Sequence, residues 1–598
     1  MGAFKSAVIT KQGQALLAKV VSGATKLNFT RIAVSEGNLT GDLASKTGIG
    51  TIKQSTAVAS VIKQNNSNVK VSASFDNKTL KAGYYVRNIG LYATDPQEGE
   101  ICYSISVADE STATADWMPP FNGIGVSSLM VDLVTAVSNA SSVTVEVDPT
   151  ATATVAQIVD LQSQIDDVRS FVGYEEDDVY GVEVDYANRK FTRLAGAENL
   201  TAGADFDSLS PWARKRCNIT NEGVVVAYRG DAGYTETGAL TQAITIGEKE
   251  YSIGTQVQVM VEQPIFYVKT VPVKMKNATS GKGKEITKAR YYISPTPKVG
   301  FKAPQAFKDE NGILQDKIYL SAYEGSIYDS SETKYLKADE QVADFATDML
   351  SSIAGAKPAS GLTQNLTRAN VRALCKKRGA GWQSHNIYAL AVTQWLIMVE
   401  YGSMDCQRKI GRGVCDFVDN GTDNMAVNTG ATSSLGNGSG IDPNAGEDGK
   451  CSVSYRGEEN LWGNIWTWLD GINILAKGLN DAYLHRAGEV MADNTTEGYD
   501  NYGTQLSHGN GYWSAVGYNE DYPEVFLPTA NAGADSGPVG DYYWQNYTYD
   551  GFFIAVLGGA WHYGSYCGAW YLLVATASSN RYRTFGGRLL YVPQTQVA

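Results

Sequence analysis

The chain has 598 residues, a hydrophobic content of 43%, a charged content of 19% and a formal net charge of −13. That length accommodates several domains with real cores, and the composition is globular. The acidic balance argues against a protein that grips nucleic acid through its phosphates, and no apolar run approaches the roughly 18 to 20 residues that span a bilayer.

The 61 glycines and 35 tyrosines point to strands and loops. The N-terminus, MGAFKSAVITKQGQALLAKVVSG, lacks the charged-then-apolar order of a signal peptide. Its Met-Gly start with Ser6 fits a myristoylation pattern formally, with no other membrane feature beside it. Thr10 is placed to cap a helix over KQGQALLAKVV, with Ala15, Leu16, Val20 and Val21 apolar and Gly23 closing it. Strand-like runs follow: LNFTRIAVSEG, GYYVRNIGLYATDP and ICYSISV. Residues 1–150 are therefore expected to form an α+β domain. The IGLYATDP element and the following GEICYSIS resemble the N-terminal domain of phage tail-collar fibre proteins. That resemblance implies attachment of the chain to a phage tail baseplate, and hence a virion location after assembly in the host cytoplasm.

In residues 151–178, Ile158, Leu161, Ile165, Val168 and Val172 fall at 3-4-3-4 spacing, the a/d pattern of a short coiled coil. Fewer than three heptads leave open a helix packed on its own domain. Trimeric symmetry is usual for the fibre family the first domain resembles, and this pattern allows it.

Residues 179–355 read as a β-rich spacer. VYGVEVDYANRKFTRL, EGVVVAYRG, QVQVMVEQPIFYVKTVPVKM and KARYYISPTP alternate with period two, and Pro264 and Pro272 imply edges or bulges. Helical signal is confined to Ala338–Ser352. No paired catalytic carboxylates, phosphate loop or nucleophile elbow stands out there.

From Ala356 the pattern changes. Thr367 precedes the helix RANVRALCKKR, and Ser384 precedes a second, HNIYALAVTQWLIMVEYG. Tyr388, Ala391, Val392, Trp395 and Val399 place one apolar stripe on the latter. A Gly/Ser/Asn-rich loop runs from Thr422 to Lys450, and Trp462, Trp466 and Trp468 beside Asn464 and Asp470 predict a buried aromatic floor with polar handles. EYGSMDCQRKIGRG with YRGEENLWGNIWTWLDGINI resembles the C-type-lectin-like, or formylglycine-generating-enzyme-like, fold. The resemblance covers roughly Ala356–Val592, within a receptor-binding domain expected over residues 356–598.

The stretch 541–592 alternates two kinds of position. Gly558, Gly559, Trp561, Gly564, Gly568, Trp570, Gly586, Gly587 and Arg588 read as framework. Between them lie Tyr542, Tyr543, Tyr547, Tyr549, His562, Tyr563, Ser565, Tyr566 and Tyr571. Tyrosine combines an apolar face, a hydroxyl and few torsions, as binding loops require, although a Tyr-rich core has the same composition. The segment, ending in FGGRLLYVP, resembles the variable region of proteins diversified by diversity-generating retroelements. In that family, adenine-directed mutagenesis rewrites Asn codons, and Tyr and His are among its permitted products. The resemblance implies that these nine residues form an exposed ligand-binding face.

Seven cysteines lie far apart without a CxxC pair, and four histidines are few for metal chemistry. Buried reduced thiols, no metal and no cofactor are expected. Asp442, Glu447 and Asp448 are candidate oxygen ligands for calcium, more simply read as a solvated acidic loop. The full expectation is a non-enzymatic phage tail-fibre receptor-binding protein, a homotrimer that adsorbs to a bacterial surface protein or glycan without membrane insertion. A polysaccharide-degrading fibre, a bacterial adhesin and a structural fibre with its tyrosines buried in the trimer are the alternatives.

Overall fold

The computed structural model describes residues 4–63, 68–109, 116–121, 126–137, 143–145, 179–339, 342–444, 447–477, 480–532, 540–545 and 549–595. The coiled-coil expectation for residues 151–178 lies outside this range. Most of the regular structure is β-sheet, with few helices. No described helix is long and apolar enough to cross a membrane. The chain divides into two compact units, Met1–Val168 and Arg169–Ala598.

In the first unit the helix Lys11–Val21 forms where its cap and spacing place it, and the Thr10 hydroxyl accepts from Gly13 N at 3.0 Å. It buries Leu16 and Val20 against Phe29, Ile32 and Tyr103. The expected runs become the strands Leu27–Ser35, Asn88–Asp95 and Gly99–Val107, neighbours in one antiparallel arrangement. In a second sheet, Asn68–Asp76 pairs with Ser128–Ala136 on one side and with Ser60–Lys63 on the other.

In the second unit the period-two runs also form strands. Tyr180–Asp185 and Lys190–Ala195 make a hairpin, and Tyr267–Asn277 lies beside Lys284–Ser294. Register shifts around Lys274 put a bulge next to Pro272, as a residue without an amide proton requires. The helical signal over Ala338–Ser352 is not realised; the described part ends in the strand Met349–Ser351.

The boundary expected at residue 355 does not separate two bodies. Lys284–Ser294 pairs with Gly511–Gly517, placing both in a 14-stranded sheet. Lys317–Ser321 pairs with Leu589–Tyr591 in a 6-stranded sheet. Arg214 meets Glu458 at 2.6 Å with both side chains buried, and Arg588 donates to Ser321 O at 3.0 Å. Spacer and recognition segments therefore share their sheets, cores and buried charges.

The helix Ile387–Tyr401 explains how that core closes. Asn386, two residues beyond the expected Ser384, caps it by accepting from Tyr388 N and Ala389 N. Rather than showing one apolar stripe, it is buried along all but its last residue. Leu390, Trp395 and Leu396 share one cluster with Val182, Val184 and Tyr291 of the large sheet and Val261 and Leu320 of the smaller. A helix enclosed on several sides carries apolar residues all round.

Candidate functional site

The framework residues of the C-terminal stretch behave as their chemistry demands. Trp561, Trp570 and Arg588 are buried. Arg588 donates to Glu459 O at 2.8 Å and to Ser321 O, fastening the chain end to two other segments. Asp541 is buried and accepts from Trp570 N at 2.7 Å, while Gly568 is packed so that an added Cβ would lie 2.1 Å from the Asp541 carboxylate. Burial holds the Asp541 carboxyl well above the usual range, and the group is a strut inside the frame rather than a surface charge.

On this frame three neighbouring strands present tyrosines to one side. Tyr542 stands opposite Tyr512 in the antiparallel pair, and the strand Tyr542–Gln545 runs parallel to Gly568–Thr576. The ring of Tyr542 is 5.0 Å from Tyr512 and 6.0 Å from Tyr571. The turn Gly564–Tyr566 then lays Tyr566 over them, 4.3 Å from Tyr542. Gln407 fixes this turn by donating to Gly564 O at 2.9 Å and Cys567 O at 2.7 Å. Tyr563 and His562 continue the surface, with ring centroids 4.6 Å apart, and Trp466 is the buried floor, 5.2 Å from Tyr563 and 4.6 Å from Tyr571. The geometries are tilted or edge-to-face, as ring quadrupoles prefer.

The expected binding residues thus divide. Tyr566 (38% exposed) and Tyr549 (66%) face solvent, Ser565 is exposed, and Tyr542, His562 and Tyr563 are half-buried members of the ring surface. Tyr547 lies outside the described residues. Two expectations need correction. Tyr543 is fully buried, because strand alternation turns it away from Tyr542 and into the core. Tyr571 is on the correct side of the sheet but only 1% exposed, since Tyr542, Tyr563 and Tyr566 cover it. It supports the face without presenting surface.

Sequence reasoning missed several members. Trp544, 43% exposed and 6.3 Å from Tyr542, follows from the same alternation that buries Tyr543. Tyr512 had no signal, because only strand pairing brings it from outside the C-terminal stretch. At the other end, Asp419 accepts from Arg583 Nη1 at 2.8 Å and from Trp561 Nε1 at 3.1 Å, and lies 4.0 Å from His562. Hydrogen bonding from Arg583 holds the Asp419 carboxyl far below its usual range. Burial lowers the His562 pKa, and the Asp419 charge partly opposes that. On the flank near Ser565, a cleft of about 440 Å³ is bordered by Arg408, Arg412 and Asp448.

The loop acids are taken up in local contacts. Asp442 accepts from Asn444 N at 2.9 Å, Glu447 pairs with Lys450 at 3.0 Å, and Asp448 accepts from Arg412 N at 2.8 Å. Among the described residues no group of three or more His, Cys, Asp or Glu gathers as metal ligands would. The face offers stacking surfaces, hydroxyls and a charged rim.

Residues 1–157 match the family model for the phage tail-collar fibre protein, N-terminal. No curated protein matches the chain. Among solved structures, the Major Tropism Determinant I1 variant aligns at 13% identity over 67% of this chain and 77% of that one, with a TM-score of 0.23. The P3c variant aligns at 13% over the same shares with a TM-score of 0.20. The M1 variant aligns at 14% over 66% of this chain and 74% of that one, with a TM-score of 0.22. Scores of this size establish no common fold.

Proposed function

We propose that the chain is a phage tail-fibre protein that adsorbs to a bacterial surface receptor, a protein or a glycan, through the ring face around Tyr542, Trp544, His562, Tyr563 and Tyr566. The N-terminal match supports attachment to the phage tail and a place in the virion. The observation that carries the recognition half is a surface of tyrosines, a tryptophan and a histidine standing on buried framework. Exposed aromatic rings held by a rigid support supply contact area at small entropic cost. The mechanism is binding, not catalysis. Assembly as a homotrimer would multiply a weak single-site affinity through effective concentration. Sequence change at the outer positions would alter specificity while leaving the frame in place, as diversification requires.

The test uses the full chain, because residues 356–598 share both sheets with the preceding segment and do not form a separate body. Fluorescently labelled protein is titrated onto cells of candidate hosts beside the Tyr542→Ala/Tyr566→Ala double variant. The expected result is at least a tenfold loss of binding per folded molecule, with cooperative unfolding retained. Equal binding by both proteins at equal foldedness would move the receptor site off this face.

A further inference from the structure

A pair of thiols lies beneath the ring face, on two segments that the fold ties side by side. Phe417 N donates to Trp561 O at 2.8 Å and Gly564 N donates to Cys415 O at 2.8 Å, so residues 415–417 run along 561–564. The turn then returns the chain, with Cys567 N donating to Gly564 O at 3.3 Å. Cys415 and Cys567 are both fully buried in the same core cluster, and after burial itself the Cys415 thiol is a neighbour that pushes the Cys567 thiol up. Gly559 leaves room for the Cys567 sulfur, since an added Cβ there would lie 2.3 Å from it. Every described cysteine is a free thiol.

We infer that Cys415 and Cys567 are a latent disulfide pair, closed by exchange with a small-molecule disulfide when the protein is held in an oxidising solution. One protein thiolate attacks a sulfur of the small disulfide, breaking its S–S bond and releasing one small thiol. The second protein thiolate then attacks the protein sulfur of the mixed disulfide and releases the other. Two protein thiols are oxidised, one small disulfide is reduced to two thiols, and the two protons leave with the products. The bond links the segment carrying Phe417 and Asp419 to the base of the turn that carries Tyr566. It constrains the unfolded chain and holds the charged rim to the ring face.

Burial pushes the Cys567 thiol up, so closure is slow while the region is packed and quickens when it opens locally. Cys451 is the nearest competitor: Gly449 O accepts from Cys415 N at 2.8 Å, two residues before it. Cys217, Cys375 and Cys406 are also fully buried.

The full chain, purified under reductant, is transferred to oxidised glutathione at about pH 8.5, near the ordinary thiol pKa. Parallel samples contain no urea or urea below the unfolding transition. Aliquots are alkylated in denaturant and mapped by mass spectrometry. The expected product has lost two of its seven thiols, carries no glutathione at either site, and yields a Cys415–Cys567 linked peptide. Its thermal midpoint lies several degrees above that of the reduced protein. Cys451→Ser should give the same product, and Cys415→Ser or Cys567→Ser should not. Seven retained thiols even under sub-denaturing urea, stable glutathione adducts at Cys415 or Cys567, or a linkage through Cys451 would each overturn the pairing. None of these outcomes bears on receptor binding, so the two readings stand or fall separately.

Discussion

Tyr571 and Tyr566 lie on one side of one sheet, yet they should respond oppositely to truncation. Tyr571→Ala removes a ring that is 1% exposed and touches Trp466 at 4.6 Å, Tyr542 at 6.0 Å and Tyr563 at 6.1 Å. Replacement of a buried aromatic by alanine costs about 3–5 kcal/mol, including the cavity left behind. At a urea dependence of about 3 kcal/mol per molar, the midpoint should fall by about 1 M or more. Tyr566→Ala removes a ring that is 38% exposed and rests chiefly on Tyr542. It forfeits the close pair with Tyr542 and the longer contacts with Tyr512 and Tyr571, about 1–2 kcal/mol, and should move the midpoint by well under about 1 M. Binding should show the reverse weighting. An anchor ring contributes about 2 kcal/mol or more, so Tyr566→Ala should weaken adsorption about 30-fold per folded molecule. The assays are urea denaturation followed by tryptophan fluorescence and cell binding normalised to folded protein. Equal destabilisation by the two variants, with receptor affinity intact in Tyr566→Ala, would mean that the rings are simply core.

Three further outcomes follow from the buried core and the charged rim. Glu324 is buried, accepts from Asn464 Nδ2 at 3.0 Å, and has its pKa raised by burial to about 8. The folded protein therefore holds this proton over a range where the unfolded chain releases it. Its contribution is full below pH 4.5 and is lost as pH rises through about 8. Glu324→Gln should flatten that decline by a few kcal/mol in pH-dependent denaturation; an unchanged slope would deny that the group is neutral. Asp419→Asn should lower the His562 pKa further, read from imidazole NMR shifts, because the carboxylate now favours the charged ring; a rise would contradict the described rim. Gly568→Ala forces a Cβ against the Asp541 carboxylate and should lower stability by about 1–3 kcal/mol, seen in the thermal midpoint. A wild-type midpoint would show that the strut can yield.

Local signals were legible and long-range ones were not. The helix after Thr10 and the bulge at Pro272 depend on residues within a few positions of one another, and both form as read. The division at residue 355 failed because alternation identifies a strand without naming its neighbour. Glu285 pairs with Gly517, and nothing in either run announces it. The helix Ile387–Tyr401 was legible as a helix, but its stripe could not reveal that elements beyond the nearest sheet also enclose it. Within the site, the contrast between Tyr542 and Tyr543 was available from period two. The burial of Tyr571 was not, because its cover comes partly from a turn whose path depends on Gln407.

The two kinds of contact in the C-terminal stretch explain how such a face can change. The inward ties reach far along the chain: Arg588 to Ser321 and Glu459, and Trp561 to Asp419. Breaking any of them leaves a buried donor or acceptor unpaired, a cost of about 1–3 kcal/mol before packing is counted. The outer rings of Tyr542, Trp544 and Tyr566 lean chiefly on one another, so exchanging one loses a stacking partner that solvent or a ligand can replace. Substitution at the outer positions therefore alters what the surface can recognise for about the energy of one ring pair. Substitution at Tyr543, Trp570 or Arg588 reaches the cores that hold both sheets together. This separation follows from which side of each strand a residue occupies, and it confines tolerable variation to the face that can meet a receptor.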